Sequence, residues 1–284
     1  MALDLNTSIL EEIKIRVREL IRGVVFVAPT IQPGTILYRA RVFDTAKPPE
    51  LLSYIAAPPP AKITKCQRCN RAGQSMFYAT SGKPAAIMEC HGQPDQYIAL
   101  SKWRITQPVK LSQVGYTKTA LWRMGAKRQH PNWSPPKETE ANKIVREFLA
   151  SAFIVDVPEW REEWYKLTGA ITEILIDNLE IGGLIYPTIA MSARADNVAL
   201  KPQFVSTGLA FVNVQYMVVR KRSGLKTDVD IFDFAKDIVD SGRLDWKGRR
   251  EQWVLRKPGE ELRISVEHGE RVARDSGGSV IEPE

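Results

Sequence analysis

Strand-like and helix-like segments follow one another along this chain without the regular β–α–β alternation of a doubly wound parallel sheet, which restricts it to the α+β class. Residues 35–43 are rich in β-branched and aromatic side chains and read as a strand. A proline-rich stretch at 47–62 then reads as a surface loop or semi-rigid strap. Residues 76–80 and 96–105 read as further strands. Between them, 84–90 reads as a short helix with Pro84 in its first turn. Upstream, Ile9, Ile13, Val17, Leu20 and Ile21 fall on one face of a helix over residues 8–22. Residues 106–137 read as a Pro-rich insertion. Two long helices are expected at about 137–152 and 158–180, the second closed by Gly182-Gly183. Strands at 184–186, 198–201 and 209–219, a short helix at 232–239 and a last strand at 262–266 complete the pattern.

The expected organisation is an N-terminal helix and lead-in over 1–34, a main domain over 35–220 and a C-terminal extension packed on it over 221–268. A polar, frayed tail covers 269–284. The chain has 284 residues, and its apolar share can build a core without disulfide or metal staples. No run of about 18 apolar residues is available for a membrane helix. The first residues lack the apolar stretch of a signal peptide, so a cytoplasmic location is expected, with export by a route that needs no cleaved signal as the alternative. Three cysteines do not suggest a disulfide framework.

A net charge of +7 favours anionic partners weakly. Basic clusters at 220–222 and 247–250, the second beside Trp246 and Trp253, could stack on single-stranded nucleic acid, but solvated faces are the simpler expectation. Cys66-x-x-Cys69 with Cys90, His91 and a remote His130 could suggest zinc. The spacing is poor for one tetrahedral ion, and no metal is expected. No G-x-G-x-x-G, Walker or G-x-S-x-G pattern occurs.

A different set of short motifs is more specific by its order. Leu37-Tyr38-Arg39 is followed by Arg68-Cys69-Asn70-Arg71-Ala72-Gly73. Then come Phe77-Tyr78-Ala79-Thr80, a helix with Glu89 at its end, and, much later, Tyr186-Pro187-Thr188. Over residues 35–220 this set resembles the RES domain family. That family's pattern runs L-Y-R, G-R-x-N-x-x-G, apolar-Y-x-[ST], a helix ending in Glu, and Y-P-S. The block from Arg68 to Glu89 is the specific part. The sequence departs from the pattern at Gln67, where glycine is common, and at Thr188, which stands where the family has serine and could yield that role to Ser192.

The resemblance implies an ADP-ribosyltransferase-like mixed β-sheet core and a toxin-like enzyme that takes NAD as substrate and breaks its nicotinamide–ribose bond. It also implies a restraining antitoxin or immunity protein. Glu89 would stabilise the positive charge that develops on the ribose. Tyr78 would stack on the cationic nicotinamide ring. Arg39 and Arg68 would grip the pyrophosphate, with Arg41 and Arg71 as rivals. Thr188 would bond a ribose hydroxyl or orient Glu89. Water, phosphate or a macromolecular nucleophile could each accept the ADP-ribosyl group.

Overall fold

The computed structural model describes residues 9–126, 139–157, 163–224, 226–247, 263–267, 270–274 and 279–281. It divides into two compact units, residues 1–248 and 249–284.

A ten-stranded sheet forms the frame of the first unit. In chain order its strands are β1 (Thr30–Ile31), β2 (Ile36–Phe43), β3 (Phe77–Thr80), β4 (Tyr97–Ile105) and β5 (Val109–Gln113). They continue with β6 (Ile181–Pro187), β7 (Asp196–Leu200), β8 (Leu209–Ser223), β9 (Lys226–Val239) and β10 (Arg243–Trp246). Across the sheet the order is β1-β5-β6-β7-β3-β2-β4-β8-β9-β10. Only β5 and β6 run parallel; every other neighbouring pair is antiparallel. The sheet is therefore mixed, and helices join it irregularly, as the lack of alternation in the sequence requires.

Side chains on successive strand residues point to opposite faces, and the buried residues divide accordingly. Leu37, Phe77, Trp103, Ile105, Val198 and Tyr216 pack together on one face. On the other face Met76, Leu184, Tyr186 and Ala199 pack against three helices. These are α1 (Leu10–Leu20), α4 (Glu140–Ile154) and α5 (Trp164–Leu175). They contribute Ile13 and Val17, then Leu149 and Phe153, then Leu167 and Ile171. The short α2 (Lys83–Glu89) sets Ala86 on Ile98, Leu100, Met217 and Val219 of that same helical face. Further α-helices among the described residues are α3 (Lys118–Arg123), capped by the Thr117 hydroxyl, and α6 (Pro202–Gly208).

The proline-rich strap packs onto the Phe77 face. Ile55 is fully buried there. Backbone oxygens of the strap accept hydrogen bonds from Trp246 Nε1 (Pro49) and Ser75 Oγ (Pro58), and Thr45 O just before it accepts one from Tyr216 Oη. Proline-rich backbone has few N–H groups of its own, so it docks through its carbonyls.

Four sequence expectations change. The region 106–137 is no simple insertion: β5 lies inside the sheet and α3 follows it, while 127–138 lie outside the described residues. Gly182-Gly183 does not close a helix. α5 ends at Leu175, and both glycines lie in β6, where Gly182 faces the Val109 side chain and Gly183 the backbone of β7. Residues 232–239 form part of β9 rather than a helix. Because β8 to β10 continue the sheet to Trp246, position 220 is not a structural boundary.

In the second unit, β11 (Arg263–Glu267), β12 (Glu270–Arg274) and β13 (Val280–Ile281) form an antiparallel sheet. The tail expected to be frayed from 269 thus contributes two strands.

Candidate functional site

The motif-bearing segments meet on the helical face of β6, β7 and β3. Asn197 lies opposite both Thr80 and Tyr186 in the ladders, and Tyr78 lies opposite Ala199. Alternation puts Tyr78, Thr80, Tyr186 and Asn197 on this one face. Thr80, Tyr186 and Asn197 are buried, and Tyr78 is half-buried.

Glu89, the last residue of α2, reaches over this floor. Its Oε1 accepts a hydrogen bond from Asn197 Nδ2 at 2.9 Å. Glu89 is half-buried, and among the described residues that is its one hydrogen bond. Its carboxylate also acts on Tyr186. Burial first, then Cys69, Tyr78 and Glu89, hold the Tyr186 phenol well above its ordinary range. A carboxylate at the C-terminal end of a helix meets the negative end of the backbone dipole, so local preference does not account for a glutamate here.

The loop before β3 supplies the opposite wall. Gln67 and Asn70 bond to each other through their backbones, and Gly73 turns the chain back at φ +75°. Tyr78 Oη donates to Asn70 Oδ1 at 2.5 Å and accepts from the Cys69 N–H at 2.9 Å. One tyrosine on β3 thereby fixes the loop. On the loop's outer side Arg71 pairs with Glu173 at 3.1 Å, and Lys14 pairs with Glu173 at 2.8 Å, tying the loop to α5 and α1. Gly169 on α5 faces this loop, and a Cβ there would stand in ordinary van der Waals contact, 3.7 Å from the Asn70 oxygen.

Arg68 points from the loop to the end of α4. Its Nη1 donates to Phe153 O at 2.7 Å and its Nη2 to Val155 O at 3.0 Å. Its guanidinium also lies 5.6 Å from the Tyr165 ring centroid. These bonds satisfy carbonyls that a helix terminus leaves open. They use two of the five N–H groups that a guanidinium carries.

Arg39 is not brought to this group. β2 and β3 pair only through Tyr38 and Thr80, and the Arg39 head lies where the two strands part. Its Nη1 donates to Tyr78 O at 2.7 Å, its Nε to Ile55 O at 3.1 Å, and it lies over the Phe77 ring. That is the opposite face from the Tyr78 ring and Glu89. Burial, and secondarily Arg41, pull its guanidinium down to about 9, so it stays charged at neutral pH. Its observed bonds join strap to sheet. Arg39→Met removes the donor from two enclosed carbonyls. It should cost about 2–3 kcal/mol, read as a lower urea midpoint. Arg41→Met, which breaks no hydrogen bond among the described residues, should cost under about 1 kcal/mol.

Thr188 extends β6 by one residue. Its N–H donates to Ala195 O and its carbonyl accepts from the Ala193 N–H, so its side chain follows Tyr186 on the helical face. Thr188 is fully buried, and its Oγ1 has no hydrogen-bond partner among the described residues. Ser192 lies four residues on, in the turn of that hairpin, with φ +49°.

Cys69 sits among Thr172, Tyr186 and Tyr78, and burial pushes its thiol up to about 12. It is a packed, inert thiol rather than a nucleophile. All three cysteines are free, and among the described residues no three His, Cys, Asp or Glu side chains gather as metal ligands. His130 lies outside the described residues.

The basic cluster at 220–222 is engaged within the chain. Arg220 pairs with Asp230 at 2.6 Å, and Arg222 donates to Gly92 O and Met88 O. Trp246 bonds the strap and packs edge-on against Tyr216. Positions 248–250 and Trp253 lie outside the described residues. Among the described residues no helix is long and apolar enough to cross a membrane.

Sequence reasoning did not give Asn197 a role or link it to Glu89. Two strands and a helix separated by more than a hundred residues meet there, and no local pattern reports such a contact. No family model matches the chain, and no curated protein matches it.

Proposed function

We propose that this chain is a RES-like enzyme that binds NAD and breaks its nicotinamide–ribose bond, on an ADP-ribosyltransferase-like core. The observation that carries the reading is the Glu89 carboxylate. It is held, among the described residues, by one bond from Asn197, and it lies over the sheet face that carries the half-buried Tyr78 ring.

Bond cleavage leaves nicotinamide neutral and builds positive charge on the ribose. The leaving group therefore needs no proton, and the minimum requirement is a fixed negative group beside the ribose. Glu89 supplies that charge, and its open lone pairs accept from ribose hydroxyls. The Asn197 amide fixes the carboxylate's orientation. The Tyr78 hydroxyl is committed to the loop, so the ring contributes through its π face toward a cationic heterocycle. Thr188 Oγ1, buried and without a hydrogen-bond partner among the described residues, is the further hydroxyl proposed for a ribose oxygen or a bound water.

Arg68 takes the pyrophosphate through N–H groups not spent on the α4 carbonyls. Arg39 enters as a positioning residue rather than a pyrophosphate ligand, since it bonds the Tyr78 backbone from the far face. An enzyme that depletes NAD in its own cell needs restraint. An antitoxin or immunity protein covering the Glu89–Tyr78 surface is part of the same proposal. The internal pairing of Arg220 and Arg222 favours it over a nucleic-acid-binding module.

The test is nicotinamide release from NAD by the purified chain, with and without phosphate. ADP-ribose in either buffer indicates hydrolysis, and a phosphate-dependent product indicates phosphorolysis. Label from NAD appearing on protein in a lysate indicates transfer instead. A folded chain that releases no nicotinamide and transfers no label overturns the proposal.

A further inference from the structure

β8 does not alternate regularly along its length. Val219 lies opposite Val229 and Arg222 lies opposite Thr227, while the pairing shifts between Val219 and Lys221. Val229 packs in the same small core as Val219 and Ala86 of α2, and Thr227 reaches Met88 of α2, so both partners face that helix. Residues directly opposite one another share a face, and Val219 and Arg222 therefore lie on the α2 side together. An unbroken strand would put them on opposite faces. The bulge at Arg220 turns Arg222 back toward α2.

There the half-buried Arg222 meets the end of the helix that carries Glu89. Its Nη2 donates to Met88 O and its Nη1 to Gly92 O, each at 3.2 Å. The two carbonyls flank Glu89, Cys90 and His91, the stretch in which the chain leaves α2, with His91 at φ +54°. A helix terminus leaves its last carbonyls open, and a planar guanidinium can span two acceptors that a lysine ammonium meets only as a point charge. The guanidinium also sets a cation at the negative end of α2, where a glutamate is otherwise disfavoured. The far side of the turn is fixed to the same hairpin, since the Asp95 N–H donates to Val219 O at 2.8 Å. The Glu89 carboxylate itself bonds Asn197 of β7.

We infer that Arg222 is a positioning residue for Glu89: from the β8–β9 hairpin it fixes the turn that aims the carboxylate at Asn197, and through it the rate of nicotinamide release. The placement stands on the contacts above, and the effect on rate rests on the NAD reading.

Arg222→Met in the full chain keeps an apolar stem and removes the fork. The side-chain NH₂ signal of Asn197, identified by its loss in Asn197→Ala, reports the bond to Glu89 with no substrate present. In Arg222→Met it should move toward its position in Glu89→Ala, where that bond is absent. In nicotinamide release kcat should fall roughly tenfold, with KM within about twofold of the parent. In a Glu89→Gln background the same substitution should cost less than about twofold, because a residue acting through the carboxylate has nothing left to act on. Arg222→Lys keeps the charge without the planar fork; it should fall between parent and Arg222→Met in both readouts, and it carries the test should Arg222→Met fail to fold. Arg220→Met, which removes an exposed pair with Asp230, should change neither readout. The inference is overturned by an unmoved Asn197 signal, by an unchanged kcat, by a tenfold loss that persists in the Glu89→Gln background, or by an equal effect of Arg220→Met. A parent chain that releases no nicotinamide removes the NAD reading and the effect on rate with it, and the Asn197 signal then decides by itself whether Arg222 places Glu89.

Discussion

Gly183→Ala should unfold the first unit or weaken it by more than about 4 kcal/mol, the range reserved for backbone or core disruption. A Cβ at Gly183 would stand 2.1 Å from the Ala199 carbonyl oxygen and 3.0 Å from Leu200 Cα. Both atoms are backbone in the paired strand β7, so no side-chain rotation relieves the clash. β6 and β7 would have to move apart, breaking the ladder that sets Tyr186 opposite Asn197. The damage should therefore reach the Glu89 contact as well as stability. Gly82→Ala is the matched control. Its Cβ would meet nothing closer than 3.9 Å, and the change at this helix N-cap should stay within about 1 kcal/mol. Thermal melts followed by circular dichroism distinguish the two. A Gly183→Ala protein that melts within a few degrees of the parent would show that the strands tolerate a wider spacing than their register implies.

The same glycine pair shows where sequence reading succeeds and where it fails. β2, β4, α1 and α2 were legible because apolar period and flanking turn residues agree within each segment. Gly182-Gly183 after a helix reads locally as a stop signal. Its actual reason is a tertiary approach of Val109 and Ala199, which no local pattern contains. β5 is five residues long, lies between prolines and irregular chain, and gains its strand identity from β1 and β6 on either side. In residues 231–239 the apolar positions fit a helix and a strand comparably, and pairing with β8 decides for strand.

The site divides in the same way. The ordered motifs led to Tyr78, Glu89 and the Arg68 loop, which share one face. Adjacency in a motif did not reveal that Arg39 lies on the other side, because the facing of a strand residue depends on register with its neighbours. Nor did it reveal that the CxxC pattern encloses a core thiol, since the hydroxyls around Cys69 come from β3, β6 and α5.

Glu89→Gln should lower the rate of nicotinamide release by about 10²–10³-fold, the scale for removing one group aimed at developing charge. The loss should fall on kcat, with KM little changed, because the ground-state ribose carries no full charge for Glu89 to meet. The glutamine side chain is nearly isosteric, and its amide oxygen can accept the Asn197 Nδ2–H bond, so the α2–β7 contact survives. Its stability should not fall. A carboxylate at the end of α2 opposes the helix dipole, and neutralising it should leave the melting temperature equal or slightly higher. A rise in stability with a loss of activity marks a residue kept for chemistry rather than for folding. Asn197→Ala gives the complementary reading. It keeps the charge but frees its orientation, so it should slow release by roughly tenfold, less than losing the carboxylate itself. Turnover by Glu89→Gln at the parent rate would remove Glu89 from the reaction, and with it the observation on which the NAD proposal rests.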